Sequence, residues 1–377
     1  MHVLVMTESW QAALACIQSF GRRGHRVSVL HSSFLSPHAY SRFVYKRIPF
    51  DNKSDTREER ASKLLQLLQA GSVDVVIPIC DEDAHLLAVC KTKEPKRHGL
   101  ISPPLASIEI VRSRAKTEKF CQDNGIRIPE SVQIASMGEL RAAASELGFP
   151  VVIKESNSTA SQGVRIVNGE QDFAGLKKLF SSGQALQVQK FIQGDFVGVT
   201  GFGWQGQLKG RFSFRVAYEH SHGGTPPYAI SEKDGASTDM LAHIVKCLNW
   251  SGGIDIDLLR DASGELYLLE INPRFSGTTI FPLKLGIDLP RYYEAALNNS
   301  FDTLSTPPAV PDPVLFISYP DEVLLLSKNP DVGFPKSREL RKRFRYIESL
   351  FLDDPGLTRN QLAQFLHNAW FTPKTPS

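Results

Sequence analysis

With 377 residues the chain is long enough for two or three domains, and 42% hydrophobic with 22% charged residues is the balance of a chain that buries a core rather than a disordered one. A net charge of +3, small and dispersed, argues against a nucleic-acid partner; the densest basic run, 338–345, reads as a solvated helix face. Five widely spaced cysteines without a Cys-x-x-Cys pair argue against a zinc site or disulfide frame, no apolar run reaches the roughly 20 residues that cross a bilayer, and no leader precedes the first strand, so the expected setting is cytoplasmic with no membrane partner.

The chain opens as β-α-β: an apolar run over 2–6, a helical pattern over 9–20 and a second apolar run over 26–30. The first turn, Thr7-Glu8-Ser9-Trp10, has no glycine to let backbone approach a pyrophosphate, so a nicotinamide-type cofactor is not expected. A helix over 56–68 and a strand over 73–79 continue the alternation. At that strand's carboxyl end, where open α/β sheets place ligands, stand Asp81 and Glu82, which either touch substrate or N-cap the helix over 84–90.

Pro103-Pro104 marks a boundary. A helix over 108–121 carries Lys116 and is followed by Gly125-Ile126-Arg127-Ile128-Pro129. Beyond Leu147-Gly148-Phe149-Pro150 a β-rich run ends in Lys154, which needs an anionic partner or must snorkel to water. The small-residue loop over 155–163 contains Ser161 and one glycine, Gly163; its backbone N–H groups and hydroxyls suit phosphates. A helix over 172–180 leads to an apolar strand with Gln189, Lys190, Phe191 and Ile192, then a turn and Asp195. Strands over 197–204 and 207–216 flank Gln205-Gly206. The polar loop over 218–227 holds His220 and His222 without a Cys or third His, so zinc is not expected there. A helix spans 234–248.

The residues with the clearest chemistry follow. Apolar runs over 254–259 and 266–271 flank the turn Asp261-Ala262-Ser263-Gly264, the pattern of a β-hairpin. Asp257 and Glu270 can then lie opposite each other, and alternation puts Asn272 on the face of Glu270, with Arg274 on that side beyond Pro273. Two carboxylates and an amide oxygen suit Mg²⁺, which binds through one or two carboxylates plus substrate phosphates, and the arginine suits a phosphate or carboxylate. A merely solvated edge hairpin does not explain why these four side chains share one face.

Glu270-Ile271-Asn272-Pro273-Arg274, with an acid thirteen positions earlier, resembles the metal-binding signature of ATP-grasp ligases, in particular the carbamoyl-phosphate-synthase-like branch that includes amino-acid and peptide ligases. The resemblance implies an α/β chain: a small parallel Rossmann-like domain over 1–105, an α+β ATP-grasp domain over 106–305 and a tail of strand and helices over 306–377. It implies Mg²⁺, or Mn²⁺ in its place, on Asp257, Glu270 and Asn272. ATP would lie on Lys116, Lys154, Ser161 and Gly163, with backbone near Gln189, Lys190, Phe191 and Ile192 at the adenine, Asp195 at the ribose, and His222 or Arg215 near the phosphates. Arg274 and Lys154 would neutralise charge on the transferring phosphoryl group. The chain departs from the family pattern in its glycine-poor loop, in Lys190 and Asp195 where Glu is common, and in Gly277 where carbamoyl-phosphate synthesis has a second arginine.

The implied reaction is ATP-dependent joining of a small carboxylate, bulkier than bicarbonate, to an amine through an acylphosphate, with release of ADP and phosphate; amino acids are the expected substrates. An ATP-grasp small-molecule kinase and a silent ATP-binding regulatory protein are the alternatives. The Pro-rich stretch after Ser305, a strand over 314–318, the basic helix and a helix over 358–370 are expected to cap the core or form a homodimer contact.

Overall fold

A computed structural model describes residues 1–6, 10–31, 37–50, 56–71, 73–155, 164–182, 186–218, 225–304, 313–328 and 330–359. The N-terminal unit is a parallel sheet ordered β3-β2-β1-β4, from β1 (His2–Val5), β2 (Arg26–His31), β3 (Val44–Pro49) and β4 (Val75–Ile77). Helix α1 (Trp10–Arg22) covers one face; α2 (Arg57–Ala70) and α3 (Asp81–Lys93) cover the other. Burial on both faces explains why β1 and β4 read as continuous apolar runs. Strand β3, with only Val44 and Ile48 as regularly spaced apolar residues, carries no such signature and was not expected.

Where one helix over 108–121 was expected there are two, α4 (Leu105–Val111) and α5 (Arg114–Asp123). Ser113 causes the break: its backbone is extended and its Oγ accepts from Lys116 N, so α5 starts afresh at Arg114. Next comes an antiparallel sheet ordered β5-β8-β6-β7, from β5 (Ser131–Ile134), β6 (Val151–Glu155), β7 (Val164–Val167) and β8 (Leu186–Lys190), with α6 (Met137–Leu147) and a 3₁₀ segment (Glu170–Ser182) on one side.

The largest sheet is ordered β13-β12-β9-β10-β11-β14-β15. It contains β9 (Gly194–Trp204), β10 (Gln207–Val216), β11 (Tyr228–Glu232), β12 (Gly252–Asp261), β13 (Leu266–Asn272), β14 (Val314–Ile317) and β15 (Arg345–Glu348). Gln205 and Gly206, both at positive φ, close the β9–β10 hairpin. The helix α7 (Ala236–Cys247) packs on one face with Val197, Val199, Ile254, Ile256 and Leu258. Against the other face lie α1, α8 (Ile280–Lys284) and α9 (Arg291–Asn298). The tail helices α10 (Tyr319–Lys328) and α11 (Pro330–Arg343) follow β14, so the tail strands extend the central sheet. The expected terminal helix beyond Arg359 lies outside the described residues. No helix among the described residues is long and apolar enough to cross a membrane, and all five cysteines are free thiols.

Candidate active site

In the β12–β13 hairpin Asp257 pairs with Glu270 and Asp255 with Asn272. This register depends on an irregularity that simple alternation does not foresee. Leu258 pairs with Leu268 but Asp257 pairs with Glu270, so Leu269 is an extra residue in the ladder. The bulge changes the phase of β13: Leu266 and Leu268 face the α7 core, and so does Ile271, three residues on. Counted regularly, Glu270 would have followed Leu268 into that core. Instead it stands beside Asp257, and Asn272 beside Asp255.

Within this face Asn272 Nδ2 donates to Asp257 Oδ2 at 3.3 Å, and Arg274 Nη2 donates to Asn272 Oδ1 at 3.0 Å. Ser276 Oγ donates to Asp255 Oδ2 at 2.8 Å. Asp255 is 2% exposed, Asp257 half-buried, and Glu270 opens to solvent at the rim. Burial pushes the coupled Asp255 and Asp257 carboxyls upward, while Arg274 and hydrogen bonds from Ser276 and Asn272 pull them down. Desolvation foremost, then the charge of Asp81, push Glu270 upward against Arg274, Lys154 and Arg114, an effect that water at the rim partly screens. On this carboxylate-rich face Arg274 is the cation that acts on all three acids.

The cations come from the smaller sheet and α5. Lys154 on β6 is turned away from the core side chains Val151 and Ile153, opposite Gln187. Burial foremost, with the neighbouring Arg114, lowers its ammonium to about 8, while Glu270 and Glu118 favour its charge. Arg114 interacts electrostatically with Glu270 and Glu118, and its buried Nη1 has no hydrogen-bond partner. Glu118 is fixed by Ser131 Oγ at 3.0 Å and by Gln187 Nε2. Two desolvated cations, one with an orphaned N–H, thus face Glu270 across a cleft whose acidic wall also carries Arg274.

Several expected residues stand elsewhere. Lys116 is exposed and pairs with Glu109 at 3.6 Å; Arg114, at the first position of α5, is the residue of this helix that interacts with Glu270. Asp195 pairs in register with Arg260, on the α7 face with Val197, and not on the face of Asp257. Arg215 is in register with Val197 and lies 3.9 Å from Glu232, again behind the sheet. Alternation along β9 and β10 dictates both outcomes, because Gly198 and Phe214 share the Asp257 row. Gln189 is buried, Lys190 exposed, and Phe191 and Ile192 half-buried; Lys190 N is engaged by Glu130 O at 2.8 Å. Ser161, Gly163 and His222 lie outside the described residues. Cys80, with Asp83, caps α3, so neither Asp81 nor Glu82 is its cap. Arg114 and Asp255 were missed by the sequence reading; their signals were Ser113 as a helix start and the Asp255-x-Asp257 alternation.

A family model described as an ATP-grasp domain matches residues 111–278, a span that includes Arg114, Lys154, Asp257, Glu270, Asn272 and Arg274. The chain carries an ATP-grasp domain. Its sequence is 28% identical over 223 residues to the carbamoyl phosphate synthase large chain of Thermotoga sp. (strain RQ2), covering 54% of this chain and 20% of that protein. This chain therefore spans about a fifth of that relative. It is 24% identical over 316 residues to the D-alanine–D-alanine ligase of Ectopseudomonas mendocina, covering 72% of this chain and 98% of the relative. The fold matches the crystal structure of an L-amino acid ligase from Bacillus licheniformis with TM-score 0.64 at 16% identity, over 81% of this chain and 77% of that one. Around the matched span the parallel domain, the smaller antiparallel sheet and the seven-stranded sheet together form an α/β architecture.

Proposed function

We propose that the protein is an ATP-dependent carboxylate–amine ligase that releases ADP and phosphate. The observation that carries the reading is the cleft itself: Lys154 and Arg114, whose Nη1 has no hydrogen-bond partner, on one wall, and Asp257, Glu270 and Asn272 on the other. Desolvated cations facing two carboxylates and an amide oxygen suit one occupant, a polyphosphate with a divalent metal. When bound, Mg²⁺ would supply charge neutralisation and alignment of the phosphates on Asp257, Glu270 and the Asn272 amide oxygen.

The chain's own groups would then do the following. Lys154 and Arg114 hold phosphate oxygens, and desolvation strengthens each contact. The backbone over 190–192 receives the adenine edge, with the Lys190 N–H already engaged by Glu130 O. Arg274 holds the acid and the phosphoryl group moving onto it. A carboxylate oxygen bonds to the γ-phosphorus as the bridge to ADP breaks; the amine nitrogen then bonds to the acyl carbon, phosphate leaves, and the nitrogen loses a proton. No protein nucleophile is needed. In this reading residues 1–105 form a substrate-facing domain, 106–305 the ATP-grasp domain and 306–377 a tail, and the substrates are a small carboxylate and an amine, amino acids among them, as the relatives' names suggest. Phosphate release by the full chain with ATP, Mg²⁺ and pooled carboxylates and amines tests it. Glu270→Ala is expected to lower that rate by about 10²–10³-fold; an unchanged rate would overturn the proposal.

A further inference from the structure

Glu118 stands one turn after Arg114 on α5, and the i, i+4 spacing sets the two side chains on one face of the helix. It is half-buried, and its Oε1 accepts from two side chains of the smaller sheet, Ser131 Oγ on β5 at 3.0 Å and Gln187 Nε2 on β8. Gln187 Nε2 also donates to Ser131 Oγ at 3.0 Å, which closes a triangle of side chains. Gln187 is 3% exposed and lies in register with Lys154 on β6. Glu118 therefore stitches the helix that carries Arg114 to the strand pair that carries Lys154.

A stitch alone needs no charge, since a glutamine oxygen would accept from the same two donors. Both donors are neutral, so the negative charge of Glu118 is left to act on the cations, and it favours the charged form of each. Both need that support. Burial works against both, and Arg114 works against Lys154, so the pair is held together against desolvation and mutual repulsion. Glu270 also favours their charge, but it stands on the opposite wall among the groups that would hold Mg²⁺. We propose that Glu118 is a positioning residue of the phosphate site, the fixed anion of the cation wall that keeps Arg114 and Lys154 side by side and charged for the phosphates of the nucleotide. It touches no phosphate itself, since a carboxylate would repel one and its Oε1 is committed to Ser131 and Gln187. The inference rests on the nucleotide reading of the cleft and adds to it a residue that acts through two others.

Mg-ADP affinity tests this without any acid or amine. Glu118→Gln keeps an oxygen for both donors and removes the charge; in the full chain it is expected to raise the Mg-ADP dissociation constant about tenfold. In the Arg114→Met and Lys154→Met backgrounds the same change is expected to raise it about threefold or less, because one of the groups it acts through is gone. Glu118→Asp, which keeps the charge, is expected to bind Mg-ADP more tightly than Glu118→Gln. An unchanged dissociation constant in Glu118→Gln, or the same factor in all three backgrounds, would overturn the proposal and leave the ligase reading standing. A wild-type chain that does not bind Mg-ADP would overturn both. If Glu118→Gln does not fold, Glu118→Asp decides by the same comparison across the three backgrounds, its shorter reach giving a smaller loss.

Discussion

Arg114 and Lys116 are two positions apart on one helix, yet only Arg114 turns into the cleft. Ser113 sets this: by capping α5 it makes Arg114 the first helical residue and places Lys116 on the outer side beside Glu109. Arg114→Met is expected to weaken Mg-ADP binding about tenfold or more, the worth of a hydrogen bond to a charged group, whereas Lys116→Met is expected to change it less than about twofold. Calorimetric titration of both variants measures the difference, and the opposite ranking would remove Arg114 from the phosphate site. That Glu270 and Asn272 share a face was legible because a period of two needs no knowledge of neighbours, whereas their standing beside Asp257 and Asp255 depends on the bulge at Leu269. Asp195 was misread because a motif position beside a glycine does not reveal strand parity, and parity sends it behind the sheet with Val197.

Among elements, the β12–β13 hairpin carries the most information per residue. Its two strands and turn followed from the apolar runs and the Asp-Ala-Ser-Gly turn, but the bulge at Leu269 did not, since the extra residue is one leucine among several. Without the bulge, no single register lets Leu268 and Ile271 pack on α7 while Glu270 faces Asp257. The neighbouring strand makes room: Gly198, in register with Asp257, has Phe214 where a Cβ would stand. Gly198→Ala is expected to lower stability by about 1–3 kcal/mol through overpacking of this buried row. Urea denaturation measures it, and a loss below about 0.5 kcal/mol would mean that the Phe214 ring yields freely. Strands β11 and β15 were not expected at all, because each is short and acquires its identity only by pairing with β10 and β14.

At the scale of the molecule, the three segments share one core. Val3 and Val5 of the N-terminal sheet, Phe212, Phe281 and Tyr293 of the central domain, and Phe316 and Phe351 of the tail belong to a single buried cluster. The tail is also fastened by Asp354, fully buried, which accepts from Gln18 Nε2 at 2.8 Å, Arg42 N at 2.9 Å and Ser41 Oγ. Asp354→Ala strands these donors and is expected to cost about 3 kcal/mol, read as a lower urea midpoint; an unchanged midpoint would mean that the tail is held by apolar contact alone. That shared core keeps the N-terminal domain against the hairpin, and hence Asp81 against Arg274. By itself the sequence determined the local chemistry: the order of most elements, the two apolar runs and turn of the hairpin, and Glu270 and Asn272 on a common face, because these follow from residue type and backbone period over a few neighbours. The tertiary structure alone decided which helix cation enters the cleft, which acid of the N-terminal domain meets Arg274, and where the tail strands pair, because each depends on contacts between residues far apart in the chain, whose geometry no local period encodes.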